Sequence, residues 1–331
     1  MRTRVWLAMG GFALVCGVVP PLHAQKTGHL NPMIELHAQK KPLFGLYAPA
    51  NRGAGRRGAG GDPSAPAPAP PPQKTPADLV KEAIAYEKGD FLFNGAMEGG
   101  VDRGIGPFTD FVTAMVESTT PAVRWQHPLS VKTPKIGEDV AKAGENISRQ
   151  LNLGVSTIVF VGVESAGEVK QGLAAMRFKA SGGTRPEDVG LAPKYWGVSE
   201  KEYREKADLW PLNPKGELTN WTIVESREGL AHVREIAAVK GIGVLFPGAG
   251  TLRGVFTTTD AEGKRSFDAD GWEKAIQQVL AACKEFDVPC GYPATETDIE
   301  TRIQQGFSVF IMNWGDPGFR AVEIGRRVAG R

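Results

Sequence analysis

Three cysteines and five histidines are all that 331 residues contain, and no two of them are spaced as paired metal ligands. That removes the zinc-site patterns in which Cys or His pairs recur at short intervals. An excess of charge of either sign is also missing. Lys and Arg total 39 against 37 Asp and Glu, a formal net charge of +2, so nothing in the composition points to a nucleic-acid partner. Long apolar runs are absent apart from Val5 to Val19, and that stretch falls short of the ~20 residues a membrane-spanning helix needs. It follows a basic start at Arg2 and Arg4 and precedes Leu22-His23-Ala24, a small-residue cleavage pattern. Residues 1–24 therefore read as a secretory signal peptide. The expectation is a secreted or periplasmic protein with no stable membrane span after signal removal.

Core-forming residues are lacking over 49–76, where Gly, Ala and Pro dominate. That segment reads as a disordered low-complexity insertion. Elsewhere 41% of residues are hydrophobic and 23% charged, ordinary for a chain with one large core. Cys283 falls in a helical pattern and Cys290 opens a strand-like run. Helix and strand axes stand ~10 Å apart, beyond the Cα reach of a disulfide, so two free buried thiols are expected.

A repeat is present in place of these missing features. Runs rich in branched and aromatic residues alternate with helical stretches eight times: LFGLYA (43–48), DFLFNG (90–95), AVRWQH (122–127), STIVFVGV (156–163), NWTIVES (220–226), GVLFPGA (243–249), PCGYPA (289–294) and FSVFIMNW (307–314). Such alternation predicts an α/β fold, a single-domain (β/α)8 TIM barrel over 43–331. Residues 25–42 form a lead-in. The insertion follows the first strand, and an enlarged aromatic excursion spans 180–219, expected to pack on the barrel or on a neighbouring subunit.

Barrel active sites lie where the strands end. Those ends carry Tyr47, Glu98, Arg124 with His127, Glu164, Glu225, Gly248-Ala249-Gly250-Thr251, Thr295 and Asn313. Arg offers a planar fork of donors to a carboxylate or oxyanion. A Gly-rich turn lets backbone amides approach an anion, and Glu225 is of the type that holds a divalent cation. His127 is a candidate proton donor; a loop histidine beside Pro128 is the plainer reading.

The segments NPMIELHAQKKPLFGLY, DFLFNGAMEGGVD, PAVRW, LNLGVSTIVFVGVESAGEV, MRFKASGGTRPEDVG, WTIVESREGL and GVLFPGAGTL resemble the HpcH/HpaI aldolase and citrate lyase family. The resemblance implies a lyase or aldolase that makes or breaks a C–C bond beside a metal-bound, pyruvate-type enolate of a small keto or hydroxy acid. It implies Glu225 as a ligand of Mg2+, Mn2+ or Co2+, and Arg124 as the enolate-steadying arginine at the end of strand three. It also implies Glu98 as the acidic residue after strand two, Gly248 and Ala249 as the amide turn, and Arg185 as part of a Gly-x-Arg substrate loop. A homo-oligomer joined through residues 317–329 is expected on the same ground. The sequence departs from the family pattern in three places. Gly250 or Thr251 stands where an Asp metal ligand is implied, Gly99 where a His is, and Asn152 where its Asp partner is. The metal is therefore expected to bind weakly, and the alternative is a catalytically impaired barrel that binds a carboxylate.

Overall fold

The computed structural model describes residues 28–51 and 72–331. The signal-peptide segment and most of the 49–76 insertion lie outside these. Eight parallel strands form the barrel: β1 (Leu43–Tyr47), β2 (Leu92–Asn94), β3 (Leu129–Thr133), β4 (Thr157–Phe160), β5 (Thr219–Val224), β6 (Val244–Pro247), β7 (Gly291–Pro293) and β8 (Val309–Met312). The sheet runs continuously from β6 through β1 to β8 and β7. A parallel bridge between Leu245 and Cys290 joins β6 to β7, with Leu245 N–H donating to Pro289 O, and closes the ring.

Two cores hold it. Side chains alternate across each strand, so one set faces inward and the other meets the helices. Leu43, Phe91, Phe93, Val159, Val161, Trp221, Ile223, Val244, Phe246, Val309 and Ile311 fill the interior. Trp221 sits against Phe91, Phe93 and Phe246 there. Gly291 makes room for this packing, because a Cβ at that position would overlap the Phe246 ring. The helix Pro32–Ala38, capped by the Asn31 side chain, places Met33 in the same interior cluster and plugs the N-terminal end. The opposite set, including Phe44, Leu92, Val131, Ile158, Phe160 and Leu245, packs beneath the helices.

Seven of the eight expected strand runs are strands. The third is not: residues Pro121–Gln126 form a helix, and β3 follows at Leu129–Thr133. Thr120 caps that helix by accepting from Val123 N–H, and Pro121 occupies its first turn. This is a helix-start signal that outweighs the Val and Trp content of the run. In β3, Ser130 and Lys132 face inward while Leu129 and Val131 face the helices, so its apolar character is only half that of its neighbours.

The 180–219 excursion packs on the barrel. Its helices Ala192–Trp196 and Glu200–Lys206 bury Trp196 and Tyr203 completely. Trp196 Nε1–H donates to Gly154 O. The ends of the insertion after β1 are tied together, because Asn51 donates to Lys74 O and accepts from Lys74 N–H.

The thiol expectation is corrected. Cys283 and Cys290 form a disulfide with Cα atoms 5.6 Å apart. The ~10 Å layer spacing applies along the middle of two packed elements. Here the cysteines flank the turn joining the helix Ala269–Glu285 to β7, where Asp287 takes a left-handed conformation (φ 50°) and brings the two ends together.

Candidate active site

The barrel mouth, at the C-terminal ends of the strands, is assembled from inward-facing positions. Tyr47 closes β1, Lys132 lies near the end of β3, and Glu225 follows β5 directly. Glu98 stands on the turn after β2, the strand paired with β3. The Lys132 ammonium donates to Glu98 Oε2 at 2.8 Å. The Lys132 side chain is only 14% exposed, its Glu98 partner 40%.

Tyr47 and Lys132 converge over Gly95. A Cβ on Gly95 would lie 3.3 Å from Tyr47 Cε1 and 3.7 Å from Lys132 Cδ, so the small residue leaves the space that brings phenol and ammonium together. Burial raises the Tyr47 hydroxyl above its usual range; the Lys132 charge opposes that shift and the Glu98 charge adds to it. At neutral pH, Tyr47 is therefore an O–H donor beside a cation. A second lysine, Lys135, lays its stem over Gly162 at the rim after β4.

Glu225 lines the other wall. The residue is 9% exposed and forms no side-chain hydrogen bond with the described residues. Gly248 fits closely against it: a Cβ there would overlap Glu225 Cβ and lie 2.6 Å from Oε2. The amide turn differs from expectation in one respect. Gly248 N–H donates to Val224 O at 2.8 Å and is not available to a ligand. Ala249 is buried and opens the helix Ala249–Val255, while Gly250 and Thr251 are exposed.

Three expected site residues lie elsewhere. Arg124 is in the helix before β3, at the N-terminal end of the barrel, and is 3% exposed. Its guanidinium donates to Tyr195 O (2.6 Å), Thr119 O (2.6 Å) and Lys194 O (3.1 Å), pinning the excursion to the barrel. His127 caps the same helix and is buried at that end, where burial pushes its imidazole below its usual pKa. Arg185 is fully buried between the Phe178 and Tyr203 rings, donating to Asn152 Oδ1 and Tyr203 Oη. With Asn152, Thr184 and Asp188 it borders a cavity of about 600 Å³ beside the helix Val140–Leu151, which leads into β4. All three displacements have one origin: these residues sit in connections that enter strands, whereas the mouth is built from connections that leave them.

Lys132 was missed because the third strand was placed seven residues too early, at Ala122 where β3 starts at Leu129. The signal was the polar alternation Ser130, Lys132 behind the Thr120-Pro121 helix start.

Among the described residues no group of three or more His, Cys, Asp or Glu side chains is gathered to hold a metal ion. The position after β6 offers exposed Gly250 and the neutral hydroxyl of Thr251, so Glu225 lacks an acidic partner there. Lys132 meanwhile supplies a positive charge within the mouth. This donor set does not fit a protein-held divalent cation, which takes a cage of oxygen ligands with carboxylates among them.

Solved structures share this architecture. An HpcH/HpaI aldolase/citrate lyase family protein from Burkholderia cenocepacia J2315 superposes with a TM-score of 0.62 at 18% identity, over 91% of this chain and 98% of the other. An HpcH/HpaI aldolase from Desulfitobacterium hafniense DCB-2 gives 0.59 at 14% identity, over 90% and 95%. Macrophomate synthase gives 0.56 at 18% identity, over 96% and 95%. No curated protein sequence matches the chain. At these identities the superpositions establish the fold. The family model for HpcH/HpaI aldolase/citrate lyase matches residues 129–314, more than half of the sequence, from the first residue of β3 to just past β8. On that match, the chain belongs to the HpcH/HpaI aldolase/citrate lyase family.

Proposed function

We propose that the protein is a carbon–carbon lyase of the aldolase type, acting at the barrel mouth on a small 2-keto acid through its enolate. The observation that carries this reading is the Lys132–Glu98 pair, with the Tyr47 phenol beside it and the Glu225 carboxylate on the facing wall. Family membership supplies the reaction class, and the mouth supplies groups suited to it.

Cleavage of the bond between the carbons α and β to a keto group leaves its electron pair on the α carbon, conjugated with the keto oxygen as an enolate. The charge that develops there needs donors fixed in advance in a sheltered site. Lys132 and Tyr47 are such donors: one is cationic, and the other is held protonated by burial. Before substrate enters, Glu98 holds the ammonium in place. Glu225 accepts the proton from the hydroxyl of the departing aldehyde and returns a proton to the enolate carbon. The residues present do not build a site for the divalent ion that the resemblance implies, and no step above needs one.

A second reading keeps the pocket without turnover, as a carboxylate-binding barrel. Gly99 and Gly250 or Thr251, in place of the implied His and Asp, favour it. The two readings separate without knowing the aldehyde partner. An enzyme that forms the enolate exchanges the methyl protons of pyruvate with D2O, which NMR follows directly. Exchange above the buffer rate supports the lyase. Saturable pyruvate binding with no exchange assigns the barrel to binding alone.

We further place this chemistry outside the cytoplasm. The leader pattern of residues 1–24 and the Cys283–Cys290 disulfide support that reading, since disulfides persist in oxidising compartments. Fusion of residues 1–30 to a reporter active only after export tests it.

A further inference from the structure

We infer that Lys132 occupies the electrostatic role of a divalent ion, so that this chain binds its keto acid without metal. The inference rests on the reading of the mouth as an enolate site and specifies what holds the substrate's negative charge there. Three observations converge on it. Lys132 reaches the mouth from an inward-facing position on β3, in register with Val159 of β4, with its side chain 14% exposed. Charges in such a sheltered place act more strongly than in water. Among the described residues its ammonium is matched by a single carboxylate, Glu98, whose side chain is 40% exposed, so a substrate carboxylate can displace Glu98 without disturbing the barrel.

The third observation concerns Glu225. A metal-binding Glu in this position needs further oxygen donors turned toward the same point, and the turn after β6 supplies Gly250 and Thr251, both exposed. Gly248 instead presses against the Glu225 side chain, and no third acidic or imidazole group joins it among the described residues. Lys132 thus brings positive charge, and Tyr47 a neutral hydrogen-bond donor, where a metal would stand, while Glu225 is left free to accept a proton.

Calorimetric titration with pyruvate tests this on the mature protein, first after stripping with EDTA and then with added Mg2+, Mn2+ or Co2+. The expected result is binding in EDTA that changes by less than about twofold with metal. K132M should weaken it by about tenfold or more, while K132R retains most of it. Binding that appears only with metal overturns the inference and leaves the lyase reading standing. No pyruvate binding under any condition overturns both. Should K132M fail to fold, the metal dependence of the wild-type protein decides alone.

Discussion

The Lys132 ammonium lies 2.8 Å from Glu98 Oε2, joining the end of β3 to the turn after its neighbour β2 at the barrel mouth. Exposed ion pairs contribute little to stability, because salt and water screen them. This one is half sheltered, and its sheltered member is the cation. It is better understood as a positioned charge than as a stabilising contact, and the predictions below follow from that.

Tyr47→Phe removes the second donor while leaving the ring packed edge-on against Phe93. Pyruvate proton exchange should fall about tenfold or more, with unfolding free energy changed by less than about 1 kcal/mol. Burial raises the phenol above its ordinary value of 10.0, so its ionisation costs no activity below about pH 10. A pH–rate profile in which Y47F abolishes a loss near pH 8 would contradict this.

Gly248→Ala drives a methyl group into Glu225. The overlap should cost about 1–3 kcal/mol of stability, as overpacking in a close-fitted region does. It should also displace the carboxylate and reduce exchange. Denaturant melts together with exchange rates check both parts; a stable, fully active G248A would show that Glu225 has no fixed position.

The disulfide lies where the polypeptide enters β7, the far end from the mouth. Its two cysteines are seven positions apart, so the closed loop is short. On the chain-entropy model such a loop is worth about 2–3 kcal/mol. Cys283→Ala with Cys290→Ala should lower the melting temperature and leave the exchange rate per folded molecule unchanged. Equal stability with and without reductant in the wild-type protein would contradict the bond.

His37 is buried against Trp210, and burial lowers its imidazole from 6.5 to about 4. In the unfolded chain it takes up a proton near pH 6.5; in the folded protein it stays neutral until about pH 4. The unfolded state therefore gains protons first, and stability falls as the pH drops from 6.5 towards 4. The loss should approach about 3 kcal/mol from this group and level off below. His37→Phe should flatten that part of the stability curve. An unchanged curve in H37F would assign the acid sensitivity to other groups.

The barrel was legible because strand and helix signals alternate, and seven of eight strands lie where branched and aromatic runs predict them. The eighth misled for a physical reason. AVRWQH is rich in strand-forming residues, yet Thr120 caps it and Pro121 starts it as a helix. The true strand, LSVKT, turns Ser130 and Lys132 into the barrel and so carries little apolar signal. One misplaced strand moved the expected cation from Lys132 to Arg124. Glu98, Glu225 and Gly248 do stand at strand ends as read. His127 does not, and Arg185, implied as part of a substrate loop, lies away from the mouth too, because burial and local hydrogen bonding, invisible in a motif, assign them to the opposite face. The disulfide was hidden for a similar reason: it spans one turn between neighbours in sequence, where layer spacing says nothing.

The most direct test compares two cations at opposite ends of the barrel, measuring pyruvate proton exchange in EDTA for K132M and R124M. Lys132 is placed at the mouth, and its loss should reduce exchange about 10²–10³-fold, as removal of an oxyanion donor does. Arg124 bonds three backbone carbonyls at the far end. Its loss should lower stability by about 2–4 kcal/mol while exchange per folded molecule stays near the wild-type rate. Exchange that survives in K132M and vanishes in folded R124M would contradict the account.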